Sequence, residues 1–166
     1  MIINNKEINS FEDLLSLVPN NILTELERLK GYSESSIYHP EANAYEHIKI
    51  VTERLMTTGD IDLIIAGLFH DLGKLLAAEK TLEKTGKFRA FGHEHIGAKF
   101  VKRDSEFIES MGADVNTVES IVSNHMRMKQ MDTMKKKKVD EIKALPSFSK
   151  LEIFTKADSM LTEFKV

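Results

Sequence analysis

Cysteine is absent from this chain of 166 residues. The protein can therefore form neither a disulfide framework nor a thiolate metal site, so any bound metal must use histidine, carboxylate or water ligands. Proline is scarce, with three residues, and the eight glycines leave few points at which a helix must break. These absences favour long uninterrupted segments of helix over a turn-rich fold.

Long apolar runs and an excess of basic charge are also missing. The 23 basic and 26 acidic residues give a formal net charge of −3, which argues against nucleic-acid binding by bulk charge alone but leaves room for a local basic site. The apolar stretch 61–69 is interrupted by Asp62 and is far too short to span a bilayer. Because the N-terminus also lacks the pattern of a signal peptide, we expect a cytoplasmic protein without a membrane span.

Apolar residues recur mainly at spacings of three and four, which predicts an all-α fold with one domain. The stretch 61–69 is apolar on nearly all sides, as is typical of a central, buried helix. We treat residues 1–35 as a helical extension packed on a main domain of residues 36–166. We expect loops at 32–40 and over most of 78–92, and helices at about 11–30, 41–57, 61–76, 93–111, 115–126 and 146–164.

Several histidines and aspartates stand where the helical pattern calls for an apolar residue. Taken singly, each has a structural explanation, such as a helix cap or a buried ion pair. Because the apolar stripes offer no clear lysine or arginine to pair with the aspartates, we expect a divalent cation to satisfy the whole set. Mixed nitrogen and carboxylate ligands suit manganese, nickel, cobalt, iron or zinc better than calcium. The residues are His47, His70, Asp71, His93, His125 and Asp158.

Two other histidines provide a contrast. His95 shares a helix face with Lys99 and Lys102, so we expect it to face solvent. His39 lies beside Pro40 in a predicted loop. We expect neither histidine to bind metal.

The spacing of His47, His70-Asp71 and Asp158 resembles the H…HD…D pattern of HD-domain phosphohydrolases. The string 69–74, FHDLGK, is similar to the FHDxGK core of that superfamily, and 91–98, FGHEHIGA, resembles a string in the HD domain of bacterial tRNA nucleotidyltransferases. The resemblance covers roughly residues 38–161 and implies a helical HD-domain bundle. Nothing here supplies the nucleotidyltransferase catalytic domain, so we expect a free-standing HD domain for which tRNA repair is not implied.

The resemblance further implies a phosphohydrolase with one or two divalent ions. His47, His70, Asp71 and Asp158 would hold the first ion, and Asp71 would bridge to a second. His93 and His125 would complete that second ion or contact the phosphate. A metal in such a site lowers the pKa of bound water and polarises a phosphoryl oxygen.

Charged residues near these ligands are candidates for substrate contact. Lys74, Lys87 and Arg89 are expected to bind phosphate, although each could equally be a solvated charge. Glu94 is either a general acid or a partner of His93, or it simply favours the dipole of its helix. The run 135–138, KKKK, with Arg127 and Lys129, is either a solvated face or a surface that steers RNA.

The expected substrates are a phosphorylated small molecule, a nucleotide or an RNA end, including 2′,3′-cyclic phosphodiesters. Two other interpretations remain open. A binding module would keep the metal for structure and bind RNA or a protein without turnover. A di-iron oxygenase would use the enlarged ligand set for oxygen chemistry. The sequence does not indicate the oligomeric state.

Overall fold

The computed structural model describes residues 1–33 and 43–165. Over this part of the chain it shows helices almost throughout, which confirms the predicted all-α class. A small antiparallel hairpin, β1 (Ile2–Ile3) and β2 (Lys6–Glu7), precedes them. The helices are α1 (Phe11–Leu15), α2 (Asn20–Arg28), α3 (Ala44–Met56), α4 (Ile61–Phe69), α5 (Lys74–Thr85), α6 (His93–Arg103), α7 (Ser105–Ser110), α8 (Val115–Lys129), α9 (Lys136–Lys143) and α10 (Phe148–Asp158).

Helix α4 forms the centre of the bundle, as its apolar sequence predicts. It begins where the Asp60 carboxylate accepts hydrogen bonds from the backbone N–H groups of Asp62 and Leu63. Every residue from 63 to 69 is buried, and α3, α8 and α10 pack around the helix. A Cβ at Gly67 would lie 3.0 Å from Thr52 Oγ1, so the absent side chain permits the close contact of α3 with α4.

The turn after α4 carries the His-Asp pair and is packed tightly against α6. The N–H of Leu72 bonds to the Phe69 carbonyl, and that of Lys74 bonds to the Asp71 carbonyl. A Cβ at Gly73 would lie 2.9 Å from the carbonyl oxygen of His93, a distance that real Cβ atoms do not adopt. Only glycine therefore lets the start of α6 approach this turn so closely.

Residues 1–33 pack on the same core. Phe11, Leu14, Ile22 and Leu26 are buried within it. The predicted boundary between an N-terminal extension and the main domain falls at residue 35, which lies outside the described residues, and the division stays a prediction. The predicted loop at 32–40 and His39 also fall mostly or wholly there. Across the described ranges, none of the helices has the length and apolar character needed to cross a membrane.

Several predicted element boundaries were wrong. The lysine-rich residues 78–85, predicted as loop, continue helix α5, which buries Ala77 and Ala78 and ends at Gly86 with φ of 72°. The helix predicted over 93–111 breaks at Asp104, between α6 and α7. Helix α9 was not predicted, although it buries Ile142. In α5 and α9, lysines occupy many positions and obscure the apolar pattern, although their long side chains can reach solvent from a half-buried helix.

Candidate metal centre

The six ligand-type residues predicted from the sequence come together in the interior. They reach it from α3, from the turn after α4, from α6, from α8 and from the last residue of α10. Each is at most 6% exposed. Two groups have their ligand atoms within 4.8 Å of one another: His47 with His70 and Asp71, and Asp71 with His93 and His125.

Asp71 belongs to both groups. Its Oδ2 atom lies 3.3 Å from His70 Nε2 and 3.5 Å from His47 Nε2, whereas its Oδ1 atom lies 3.1 Å from His93 Nε2 and 3.7 Å from His125 Nε2. The two oxygens of one carboxylate therefore face different histidine pairs. Asp158 adds an oxygen on the first side, 2.8 Å from His47 Nε2. A carboxylate shared by two ions needs one oxygen on the side of each ion, and Asp71 has its two oxygens placed in this way.

Backbone carbonyl groups fix the orientation of three of the histidines. The Nδ1 atoms of His70, His93 and His125 lie 2.8, 3.0 and 2.6 Å from carbonyl oxygens three residues earlier. Because a carbonyl oxygen only accepts, each Nδ1 must carry a proton and donate it. In the neutral ring the Nε2 lone pair then points inward, and metal-binding histidines are commonly held in this way.

The second group provides the test of whether a metal fits. His93 Nε2 and His125 Nε2 face each other at 3.3 Å, beside Asp71 Oδ1. With both Nδ1 protons given to carbonyls, three acceptor atoms converge, and only a proton or a cation between them makes the arrangement favourable. The donors are nitrogen and carboxylate oxygen, so the group fits a divalent transition metal.

Two lysines neutralise the buried carboxylates, contrary to the expectation that no cation was available to pair with them. Lys74 Nζ lies 2.9 Å from Asp71 Oδ2, and Lys129 Nζ lies 2.6 Å from Asp158 Oδ2. Lys129 follows His125 by four residues on α8, and this spacing on an inward face was the signal that could have identified it. The charge argument for a metal is therefore weaker than the sequence suggested, and the convergence of donor atoms carries the case.

Neighbouring positive groups keep the two aspartates of this centre ionised, so the centre attracts positive charge. Burial raises the pKa of Asp71 and Asp158, but neighbouring His70, Lys74 and Lys129 outweigh it and hold both pKa values well below the usual range. Burial lowers the pKa of His70, but Asp71 and Asp158 reverse the effect and raise it to about 9. Burial also lowers the pKa of His125, which favours the neutral imidazole that a metal binds.

A cavity of about 870 Å³ opens on the centre at Asp71 and His93. Lys74, Arg89 and Glu94, which the sequence predicted to act there, line it, and so do Arg127 and Lys129. Lys87 is exposed and is not among the lining residues, so the structure does not support its expected contact with phosphate. The His95 side chain is 73% exposed and faces solvent.

A buried cluster of four histidines and two aspartates, held by a helical bundle beside a cationic cavity, defines a metal-binding helical domain. Residues 44–162 match the family model of the HD domain. Since this match covers most of the chain, the protein belongs to the HD domain family.

Among proteins of curated function, the chain is similar to multifunctional CCA proteins and to a tRNA nucleotidyltransferase. The chain is 32% identical over 83 residues to the multifunctional CCA protein of Cupriavidus metallidurans, covering 49% of this chain and 19% of that protein. It is 29% identical over 107 residues to the CC-adding tRNA nucleotidyltransferase of Thermus thermophilus, covering 63% of this chain and 24% of that protein.

These comparisons confirm the predicted likeness to the HD domain of tRNA nucleotidyltransferases. The chain nevertheless spans less than a quarter of the length of these curated relatives. No solved structure matches it.

Proposed function

We propose that the protein is a metal-dependent phosphohydrolase that acts on a phosphomonoester or phosphodiester of a nucleotide or an RNA end. The observation that carries the proposal is the sharing of Asp71 between two groups of metal ligands at the floor of a cationic cavity. Manganese, nickel, cobalt, iron or zinc, as one or two ions, would lower the pKa of a water molecule there and polarise the phosphoryl group.

The residues of this chain have separate tasks in that proposal. His47, His70, Asp71 and Asp158 hold one ion, and Asp71, His93 and His125 hold the other. Lys74 lies against Asp71 at the floor of the cavity and contacts a phosphoryl oxygen. Arg89 contributes a second positive charge to the cavity lining. We leave Lys87 out because it does not line the cavity.

Glu94 is the proposed proton donor to the leaving group. It stands in the first turn of α6, lines the cavity, and places a carboxylate oxygen 3.8 Å from His93 Nδ1. A carboxyl group at this position reaches the cavity without belonging to either group of ligands. General acid catalysis of this kind contributes roughly a hundredfold or more to a rate.

The class of substrate is supported by the relatives. One of them, the Thermus thermophilus enzyme, is named as a tRNA nucleotidyltransferase, so an RNA end or the nucleotide that it contains is the substrate we propose for this chain. The cytoplasmic location stays a prediction.

A binding module without turnover is the second candidate, and one observation weakens the idea that such a module keeps its metal for structure. Lys74 and Lys129 already balance the charges of Asp71 and Asp158, so the fold does not need a metal for charge balance. The oxygenase alternative is favoured by no observation in the described part of the chain.

A turnover screen separates the two candidates. Purified protein loaded with each of the five metals is tested on phosphomonoesters, nucleotides and 2′,3′-cyclic phosphodiesters, with Asp71→Asn as the inactive control. We expect phosphate release or ring opening by the wild type alone. Full metal loading without turnover of any of these substrates would contradict the phosphohydrolase and favour the binding module.

A further inference from the structure

Exposed aromatic rings cluster at the cavity of the metal centre. In the described residues, large hydrophobic side chains are exposed at Ile2, Leu82, Phe88, Phe91 and Leu161. The two aromatic members, Phe88 and Phe91, are 51% and 66% exposed, and both line this one cavity. Neither ring belongs to the hydrophobic core, so burial in the core does not account for them.

The loop that carries the two rings has a defined shape. It begins at Gly86, with φ of 72°, and ends at Gly92, with φ of 74°, and both are left-handed conformations that favour glycine. The Phe88 ring contacts Tyr32, a buried residue, with ring centroids 5.8 Å apart. One side of Phe88 is therefore supported while the ring borders the cavity, as a stacking platform requires.

Aromatic rings and positive charges border the same cavity. Lys74, Arg127 and Lys129 line it together with Phe88 and Phe91. A ligand that satisfies both kinds of surface carries a phosphate and a flat aromatic group, and a nucleoside phosphate has both. The volume of about 870 Å³ lies in the range that small-molecule sites occupy and far exceeds the needs of a phosphate ion.

We propose that Phe88 and Phe91 form a base-stacking subsite, so that the substrate is a nucleoside phosphate, either a free nucleotide or the terminal nucleotide of an RNA strand. The proposal rests on the proposed function for its chemistry, but binding at this subsite is measurable without turnover. Stacking on an aromatic side chain is worth about 5- to 150-fold in affinity for each base.

The absence of tryptophan from the chain allows a direct binding measurement. In Phe91→Trp the introduced indole is the single fluorophore of its kind and lies in the proposed subsite. We expect adenosine 5′-monophosphate, and a short RNA with a 3′-phosphate, to quench its emission by stacking. Ribose 5-phosphate should cause no quenching at any concentration tested. The matched control is Ile2→Trp, an exposed position on the N-terminal hairpin, where no ligand should change the emission.

Kinetics provide the second readout. Phe88→Ala and Phe91→Ala should raise KM for the nucleotide by about 5- to 150-fold with little change in kcat. The same variants should leave KM for ribose 5-phosphate unchanged, and Phe91→Tyr, which keeps a ring, should behave as the wild type. Tighter quenching by the RNA than by the mononucleotide identifies an RNA end as the preferred source, and the reverse order identifies the free nucleotide.

The outcomes separate this proposal from the function on which it rests. Either of two results would overturn the stacking subsite while the phosphohydrolase stands. One is equal quenching by ribose 5-phosphate and by the nucleotide. The other is that the alanine variants turn over both of these substrates as the wild type does. Nucleotide-specific quenching in a protein that hydrolyses no phosphate ester would overturn the phosphohydrolase and uphold the subsite.

Discussion

Replacing Asp71 by asparagine tests the central feature of the site, the carboxylate that faces both histidine pairs. The substitution keeps the shape of the side chain but replaces one charged oxygen with an NH₂ group, which cannot bind a metal. Because Oδ2 faces His47 and His70 while Oδ1 faces His93 and His125, the NH₂ group removes a ligand from one ion and leaves the other only a neutral carbonyl oxygen. We therefore expect Asp71→Asn to lose one ion and to bind the second more weakly.

The size of the effect follows from mass action. A ligand at a hundred times its Kd stabilises the native state by about 2.7 kcal/mol. For a domain of this length, each kcal/mol raises Tm by about 2–4 °C, so metal should raise the Tm of the wild type by about 5–11 °C. We expect a much smaller shift for Asp71→Asn. Its metal-free Tm should also fall, since removing the partner of buried Lys74 costs about 3–5 kcal/mol.

The assay is thermal unfolding of each variant with chelator and with metal, together with the metal stoichiometry from calorimetry. Comparing the two conditions within one variant removes the loss of the ion pair from the result. Asp62→Asn is the matched control: its carboxylate also pairs with a lysine, with 2.6 Å between Lys150 Nζ and Asp62 Oδ2, but it lies outside the metal centre. The reasoning is refuted if Asp71→Asn keeps the metal-induced shift, or if Asp62→Asn loses it.

Three further predictions concern individual ligands. In Asp158→Asn, metal affinity should fall by about tenfold or more, activity should be lost, and chelation should shift Tm by less than in the wild type. Wild-type activity with an unchanged Tm shift would mean that Asp158 is an ordinary structural residue. His93→Ala should abolish turnover, whereas His95→Ala, which changes a side chain that is 73% exposed, should retain most of it. An equal loss of turnover in the two variants would contradict the assignment of His93 to the buried face and His95 to the exposed face of the helix. The carboxylates raise the pKa of His70 to about 9, so His70 carries an extra proton at pH 7 that a bound metal must displace. Calorimetry at pH 7 in buffers of different ionisation enthalpy should therefore show proton release, and the affinity for metal should rise with pH up to about 9. Metal binding without proton release would contradict this prediction.

The same pKa has a consequence for the metal-free protein. The folded-state pKa of His70 lies above its ordinary value of 6.5, so protonation of His70 stabilises the fold fully below about pH 6.5. This contribution is lost as the pH rises through about 9.

The sequence identified the six buried residues that the fold brings together, because a histidine or aspartate in an apolar helical stripe is conspicuous. The buried face of its helix predicted that Asp158 is buried, and the resemblance to the H…HD…D pattern placed it with Asp71, from which 87 residues separate it. The pairing of Lys129 with a buried aspartate was harder to predict, because a lysine near the end of a helix is usually solvated. The short strands and α9 carry too little periodicity to be seen, and Phe88 and Phe91 lie in a segment where no pattern tells an exposed ring from a buried one.

Lys74 and Lys129 act as internal counterions for the two buried carboxylates. Their ammonium groups reach Asp71 and Asp158, so these two carboxylates do not depend on a metal for charge balance. A metal that enters the centre therefore competes with two lysines for the same carboxylates. We expect the affinity for metal to reflect this competition, so any metal-dependent activity would depend on which divalent ions surround the protein and at what concentration.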